Sequence, residues 1–267
     1  MRTGLAGIDH FLGGLPSGIV DLYGDHSVGK TALAAQLLRR ARQDGNPAIL
    51  VRVVPLDRDW ALQLGVPADV PVLTPGNWAT AGLAMLAILE NTRDCCIVVD
   101  SAAGLETSGE TLTRLGLLDQ RERHAELERV MQMLSWPALA GNSTVVLLSE
   151  ERDVLLTRKK RSSLRVDPRR TTARIRLVQL KMETAYGHLH HKQIEWRSEK
   201  AKACPPDSRY TLHLFPDRGF DTAFELLKCW IATGQAVRRG AMWELEDGSR
   251  VGPGFARAAE QLRERYE

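Results

Sequence analysis

Eight consecutive residues limit what this chain can fold into more than any others. Gly24-Asp25-His26-Ser27-Val28-Gly29-Lys30-Thr31 fits the phosphate-binding pattern G-x-x-x-x-G-K-[ST]. Its flanks have the required form. Ile19 to Tyr23 alternates like a short strand, and Ala32 to Arg42 is rich in Ala, Leu and Arg, which favour helix. Strand, glycine loop and helix aim loop amides and a helix N-terminus at phosphate oxygens. Lys30 is the residue to reach the β/γ-phosphates, and the Thr31 hydroxyl is the one to ligate Mg²⁺. The pattern therefore predicts an ATP-type site with Mg²⁺.

The remaining periodicity predicts an α/β fold with a mostly parallel sheet flanked by helices. Thr3 to Leu15 reads as a short helical segment. Ala48 to Val54 reads as a central parallel strand, and Asp57 to Leu64 as a helix. Val70 to Leu73, Cys95 to Val99 and Thr144 to Leu148 are further strands. Trp78 to Glu90 is a helix, and so is Asp119 to Leu139, with Leu127, Val130, Met131 and Leu134 facing the core. Thr171 to Lys181, Gln193 to Arg197 and Tyr210 to Phe215 are late strands that extend the sheet, with antiparallel pairing expected. Residues 221–267 read as helix, hairpin and helix, with Asp247-Gly248 as the turn. All 267 residues are expected in one core domain.

Composition excludes a few classes. With 43% hydrophobic and 26% charged residues, the chain is neither disordered nor membrane-spanning. Cys95, Cys96, Cys204 and Cys229 lack metal-ligand spacing and read as buried reduced thiols, and the opening residues have no secretory apolar region, so a cytoplasmic protein is expected. Net charge is only +3, but it is unevenly spread. Arg152 to Arg176 holds ten Lys/Arg against Asp153 and Asp167, which leaves the rest of the chain at net −5. Such a basic run reads either as a solvated loop or as a surface that neutralises nucleic-acid phosphates.

A second carboxylate is needed to order Mg²⁺, on an apolar strand expected beside the phosphate-loop strand. Asp100, following Cys96-Ile97-Val98-Val99 and ~70 residues after the loop, fits.

Three separated stretches then resemble the RecA family: Thr3 to Leu38, Cys96 to Leu105, and Gly219 to Gly254. The resemblance runs over nearly the whole chain. It implies a RecA-like core, ATP, Mg²⁺ and single-stranded DNA. It also implies that Asp57 and Trp60 hold adenine, and that Asp100 is the Mg²⁺-side carboxylate. Where the family has a water-activating glutamate this chain has Val53, flanked by Arg52 and Val54. Valine cannot orient a proton. ATP binding with slow or absent hydrolysis is therefore expected.

Glu150-Glu151 falls where the family has a γ-phosphate-sensing glutamine, and these two acids are the substitute candidates for a base. Residues 152–170 match the family's second DNA-binding loop. Arg152, Arg158, Lys159, Lys160, Arg161, Arg165, Arg169 and Arg170 are the DNA-binding candidates there, with no aromatic residue for base stacking. Arg197, Lys200 and Lys202 lie where the family reaches a neighbouring subunit's ATP. The family's N-terminal docking segment and C-terminal domain are not matched, which argues against filament assembly by the usual route. The expected role is an accessory to a recombinase or a translesion polymerase, as in the ImuA group. Two alternatives are an active DNA-dependent ATPase with strand exchange, and an interaction protein with a structural nucleotide site.

Overall fold

The computed structural model describes the chain except residues 53–57, 106–119, 155–158, 165, 186–187 and 267, and describes the backbone alone at residues 58, 60, 103, 120–124, 152–154, 159–161, 184–185, 188–190 and 266. In chain order it forms α1 (Ala6–Phe11), β1 (Gly18–Gly24), α2 (Lys30–Gln43), β2 (Ala48–Val51), α3 (Arg58–Gln63), β3 (Val72–Leu73), α4 (Trp78–Asn91) and β4 (Cys96–Val99). Then come α5 (Gln120–Ala140), β5 (Thr144–Val154), β6 (Lys159–Ser162), β7 (Ala173–Ala185), β8 (His188–Lys200), β9 (Ser208–Phe215) and β10 (Gly219–Phe220). The chain closes with α6 (Thr222–Thr233), β11 (Ala236–Arg239), β12 (Met242–Leu245), β13 (Arg250–Val251) and α7 (Gly254–Tyr266).

The main sheet runs in the order β10-β9-β8-β7-β1-β5-β4-β2-β3, with β6 paired to β5. Strands β3, β2, β4, β5, β1 and β7 are parallel. From β7 onward the pairing is antiparallel. The late strands thus extend the sheet as expected, except that β7 itself joins β1 in parallel.

Helices cover both faces. Leu33, Leu37 and Leu38 of α2 pack with Leu50, Val98 and Leu148 on one side. Leu127, Val130, Met131 and Leu134 of α5 pack with Ile97, Val99 and Leu147 on the other. Double coverage is why all seven residues of β1 are buried, where the sequence suggested alternation. A third cluster joins Leu227, Leu245, Val251, Ala258 and Leu262 across α6, the β11–β13 sheet and α7. The expected hairpin is present, with Trp243 opposite Val251. Local signals set several ends: the Asn77 side chain accepts from Thr80 N at the start of α4, and Asp221 accepts from Phe224 N before α6, which stops at left-handed Gly234.

Some expectations are corrected. The first helix spans only Ala6–Phe11. Strand β2 is second from the sheet edge rather than central, and its described part ends at Val51. The strand carrying Asp100 is not beside the phosphate-loop strand, because β5 enters between β1 and β4. Cys95, Cys96 and Cys229 are buried, but Cys204 is not fully so.

The largest difference lies in the basic segment. Strand β5 continues through Val154 and folds back as a hairpin with β6, placing Arg152 opposite Arg161 and Asp153 opposite Lys160. Buried polar bonds hold this hairpin against the sheet. The Ser162 hydroxyl donates to Asp21 at 3.1 Å and lies 2.7 Å from the Ser149 hydroxyl. Arg174 donates through Nε to Asp21 at 3.1 Å and through its terminal nitrogen to the Val166 carbonyl. Leu164 and Val166 are buried in the α5-side core. Ser162, Leu164 and Val166 are anchored by this packing, so a freely solvated loop is excluded at those residues.

Asp21 sits at the centre of that network with no exposure. Burial raises its carboxyl to about 6, against the opposing pull of Arg174, Ser162 and Ser149. The folded chain therefore binds a proton that the unfolded chain has lost between pH ~4 and ~6. Stability conferred by the protonated form is lost as pH rises across that window, by about 3 kcal/mol. Urea denaturation of wild type and Asp21→Asn at several pH values checks this. Wild type should lose ground to the variant as pH rises from ~4 to ~7. A constant difference would contradict it.

Candidate functional site

The phosphate loop connects β1 to α2 and is shaped by two glycines. A Cβ at Gly24 would lie 2.5 Å from the Leu177 carbonyl oxygen, and one at Gly29 would lie 2.7 Å from Leu214 Cδ2. Gly29 also takes φ 95°, in the left-handed region. It caps α2 without a side-chain hydrogen bond, so the first-turn amides of that 14-residue helix stay available to an anion. Lys30 Nζ donates to the Gly24 carbonyl at 3.0 Å and to the Asp25 carbonyl at 2.8 Å. Burial lowers the Lys30 pKa, while Glu150, Asp100, Asp25 and Glu151 pull it back up. A cradle too tight for a Cβ, an uncapped helix and a half-desolvated ammonium together fit a polyphosphate.

Strand order decides what stands beside the loop. Glu150 is level with Gly24 across the β1–β5 ladder, and its carboxylate lies 3.5 Å from His26 Nε2, both side chains being well exposed. Glu151 is different. Its side chain is 5% exposed and pairs with Arg176 at 2.5 Å. Of the two acids at this position, only Glu150 opens onto the loop.

Asp100 follows β4, is 9% exposed, and donates its backbone amide to the Val51 carbonyl at 2.9 Å. Thr31, Asp100 and Arg52 line one cavity of about 10 Å³ between α2 and the sheet. The two residues expected to hold Mg²⁺ thus line one cavity. Arg52, a cationic residue, lines the same cavity, so the metal is not matched as cleanly as the phosphates.

The other expected residues divide clearly. Asp57 and Val53 lie outside the described residues, and only the backbone of Trp60 is described, in α3. Arg158 and Arg165 also lie outside them. Arg152, Lys159, Lys160 and Arg161 are placed by backbone in the β5–β6 hairpin. Arg169 is 90% exposed and pairs with Asp167 at 2.8 Å, an interaction that holds the Asp167 carboxyl down to about 2. Arg170 donates its backbone amide to the Asp167 carbonyl. Arg197 is paired with Glu195 at 2.9 Å. Lys200 donates to the Pro168 and Thr171 carbonyls. Those two cations are therefore engaged within their own chain, while Lys202 is exposed.

Sequence reasoning missed several contributors. Lys192 on β8 donates to the Ser27 carbonyl at the loop tip, at 3.1 Å, and its ladder partner Leu214 packs on Gly29. No local signal marks Lys192, because only the fold brings β8 to the loop. Asp21 could have been noticed as the one acid within an apolar strand. Arg174 and Arg176 were counted in the basic run, yet they point their charge at Asp21 and Glu151.

The RecA N-terminal domain, as a family, matches residues 1–133. Among curated proteins, Protein RecA of Thermus aquaticus is 26% identical over 288 residues, covering 99% of this chain and 81% of that protein. Protein RecA of Thermus thermophilus is 26% identical over 277 residues, covering 96% of this chain and 77% of its own length. Among solved structures, a crystal structure of the RadB recombinase superposes with a TM-score of 0.60 at 19% identity, over 82% of this chain and 97% of that one. Sequence kinship along almost the full length thus coincides with a phosphate loop set in a RecA-like α/β core, and the chain belongs to the RecA family.

Proposed function

We propose that this chain is a nucleotide-binding protein of DNA repair or recombination that holds ATP at Gly24 to Thr31 and single-stranded DNA along residues 152–170, with weak or no hydrolysis. The observation that carries this reading is the pairing of an intact phosphate cradle with a sequence from Ala48 to Leu56 that contains no carboxylate. The described strand stops at Val51 and is followed by Arg52, and Val53 takes the place of the family's base. A positioned general base contributes ~10²- to 10⁴-fold to a rate, so its loss leaves binding largely intact and turnover slow. Such a protein suits an accessory to a recombinase or to a translesion polymerase complex, where nucleotide occupancy rather than turnover carries the signal. Asp57 and Trp60 are the adenine contacts in this reading. Thr31 and Asp100 stand at the positions that would contact Mg²⁺ if it binds, in a cavity that Arg52 also lines. When bound, the metal would neutralise phosphate charge.

A second reading, an active DNA-dependent ATPase, has one specific observation behind it. Glu150 stands open beside Gly24, within reach of the loop. ATP turnover with and without single-stranded DNA, for wild type and Glu150→Gln, separates the two. The accessory reading expects turnover far below ~1 per second, little affected by DNA or by the substitution. DNA-stimulated turnover that Glu150→Gln abolishes would establish the ATPase instead.

A further inference from the structure

Arg52 occupies a position that the phosphate-loop pattern does not anticipate. Leu50 and Val98 both pack into the core beneath α2, and they are level with each other on the β2–β4 ladder. Two residues further along each strand the same face is presented again. Those residues are Arg52 and Asp100. Thr31, at the start of α2, closes the cavity over them. Neighbouring strands lie ~4.8 Å apart, and Arg52 and Asp100 line the same small cavity.

Arg52 Nε is buried and has no hydrogen-bond partner among the described residues. No ion pair joins Arg52 to Asp100 among those residues either. The guanidinium charge is therefore not spent on the carboxylate beside it. A guanidinium has five donors and no lone pair to offer a metal. Mg²⁺ takes oxygen ligands only and keeps an octahedral shell of its own waters. A fixed cation in so small a cavity opposes a second, divalent one. The same group is well suited to phosphate oxygens, which it can meet through paired N–H donors.

We propose that Arg52 supplies, beside Thr31 and Asp100, the positive charge that Mg²⁺ would otherwise bring, so that this chain binds a nucleoside triphosphate with little dependence on divalent cation. The inference rests on the nucleotide-binding reading above and deepens it. Arg52 is a binding residue here, not a base, and it leaves the absence of a carboxylate on β2 unchanged.

The test is titration of the full chain with a fluorescent non-hydrolysable ATP analogue, once in excess Mg²⁺ and once in EDTA. Wild type should bind within about threefold in the two conditions, and Arg52→Ala should bind at least about tenfold more weakly in EDTA than in Mg²⁺. A melting curve without nucleotide checks that the variant is folded. A wild type that loses about tenfold or more in EDTA would overturn the inference by itself, whatever the variant does. It would also be overturned by an Arg52→Ala variant that is equally indifferent to Mg²⁺, or one that loses binding equally in both conditions. Wild type that binds no nucleotide at all would sink the proposed function and this inference together, whereas tight, Mg²⁺-dependent binding would sink this inference alone.

Discussion

Lys30→Ala should lose nucleotide binding by about 100-fold or more. Lys30 is the only lysine in the loop, and its ammonium already sits among the carbonyls of Gly24 and Asp25. Burial makes that ammonium costly to keep charged, while four carboxylates around it act in the other direction. A triphosphate arriving at the loop meets a partly desolvated cation, where charge-assisted hydrogen bonds are about twice as strong as neutral ones. Truncation removes that cation and leaves Glu150, Asp100 and Asp25 facing the phosphates, so repulsion adds to the loss. Lys30→Met keeps the alkyl stem and should lose nearly as much, which separates charge from packing. Titration with a fluorescent nucleotide, alongside thermal melting, makes the measurement. Binding within threefold of wild type would show that this loop is not the phosphate site.

Neutralising the hairpin should have the next largest effect. Lys159→Ala, Lys160→Ala and Arg161→Ala together are expected to weaken binding of an oligo-dT strand by at least about tenfold at low salt. The dependence of log affinity on log salt should become shallower by about 2, at ~0.7 per phosphate contact on a single strand. These three residues belong to a strand pinned to the sheet through Ser162, so their backbone is held in place rather than left to search. Order of this kind lowers the entropy lost on binding. Arg169→Ala should matter less, because Asp167 already takes up its charge. Fluorescence anisotropy from ~50 to ~200 mM salt reads both affinity and slope. An unchanged slope would place the DNA surface elsewhere on the chain.

Much of the site was legible in the chain because it is local. Gly24, Gly29, Lys30 and Thr31 act within one turn of backbone, so residue type and spacing are enough to predict the cradle that the structure contains. Asp100 at the end of an apolar strand was legible for the same reason. The core face of α5 followed from helical spacing, and Leu127, Val130, Met131 and Leu134 are buried as that spacing predicts. The basic run was visible as charge, but not as a hairpin. Its fold depends on Ser162 and Arg174 meeting Asp21, which is 141 and 153 residues away in the chain.

Sequence by itself determined the chemistry that a few adjacent residues can perform: a phosphate loop, an α/β alternation, a missing carboxylate at Val53, and family membership through ordered motifs. Tertiary structure alone decided which distant residues face that loop. It inserted β5 between β1 and β4, which set Glu150 beside Gly24 and turned Glu151 toward Arg176. It brought Lys192 to the loop tip and Arg52 into the cavity of Thr31 and Asp100. The physical reason is that strand order and pairing register are fixed by burial across the whole sheet. A residue's spacing along the chain carries no record of which strand will lie next to it.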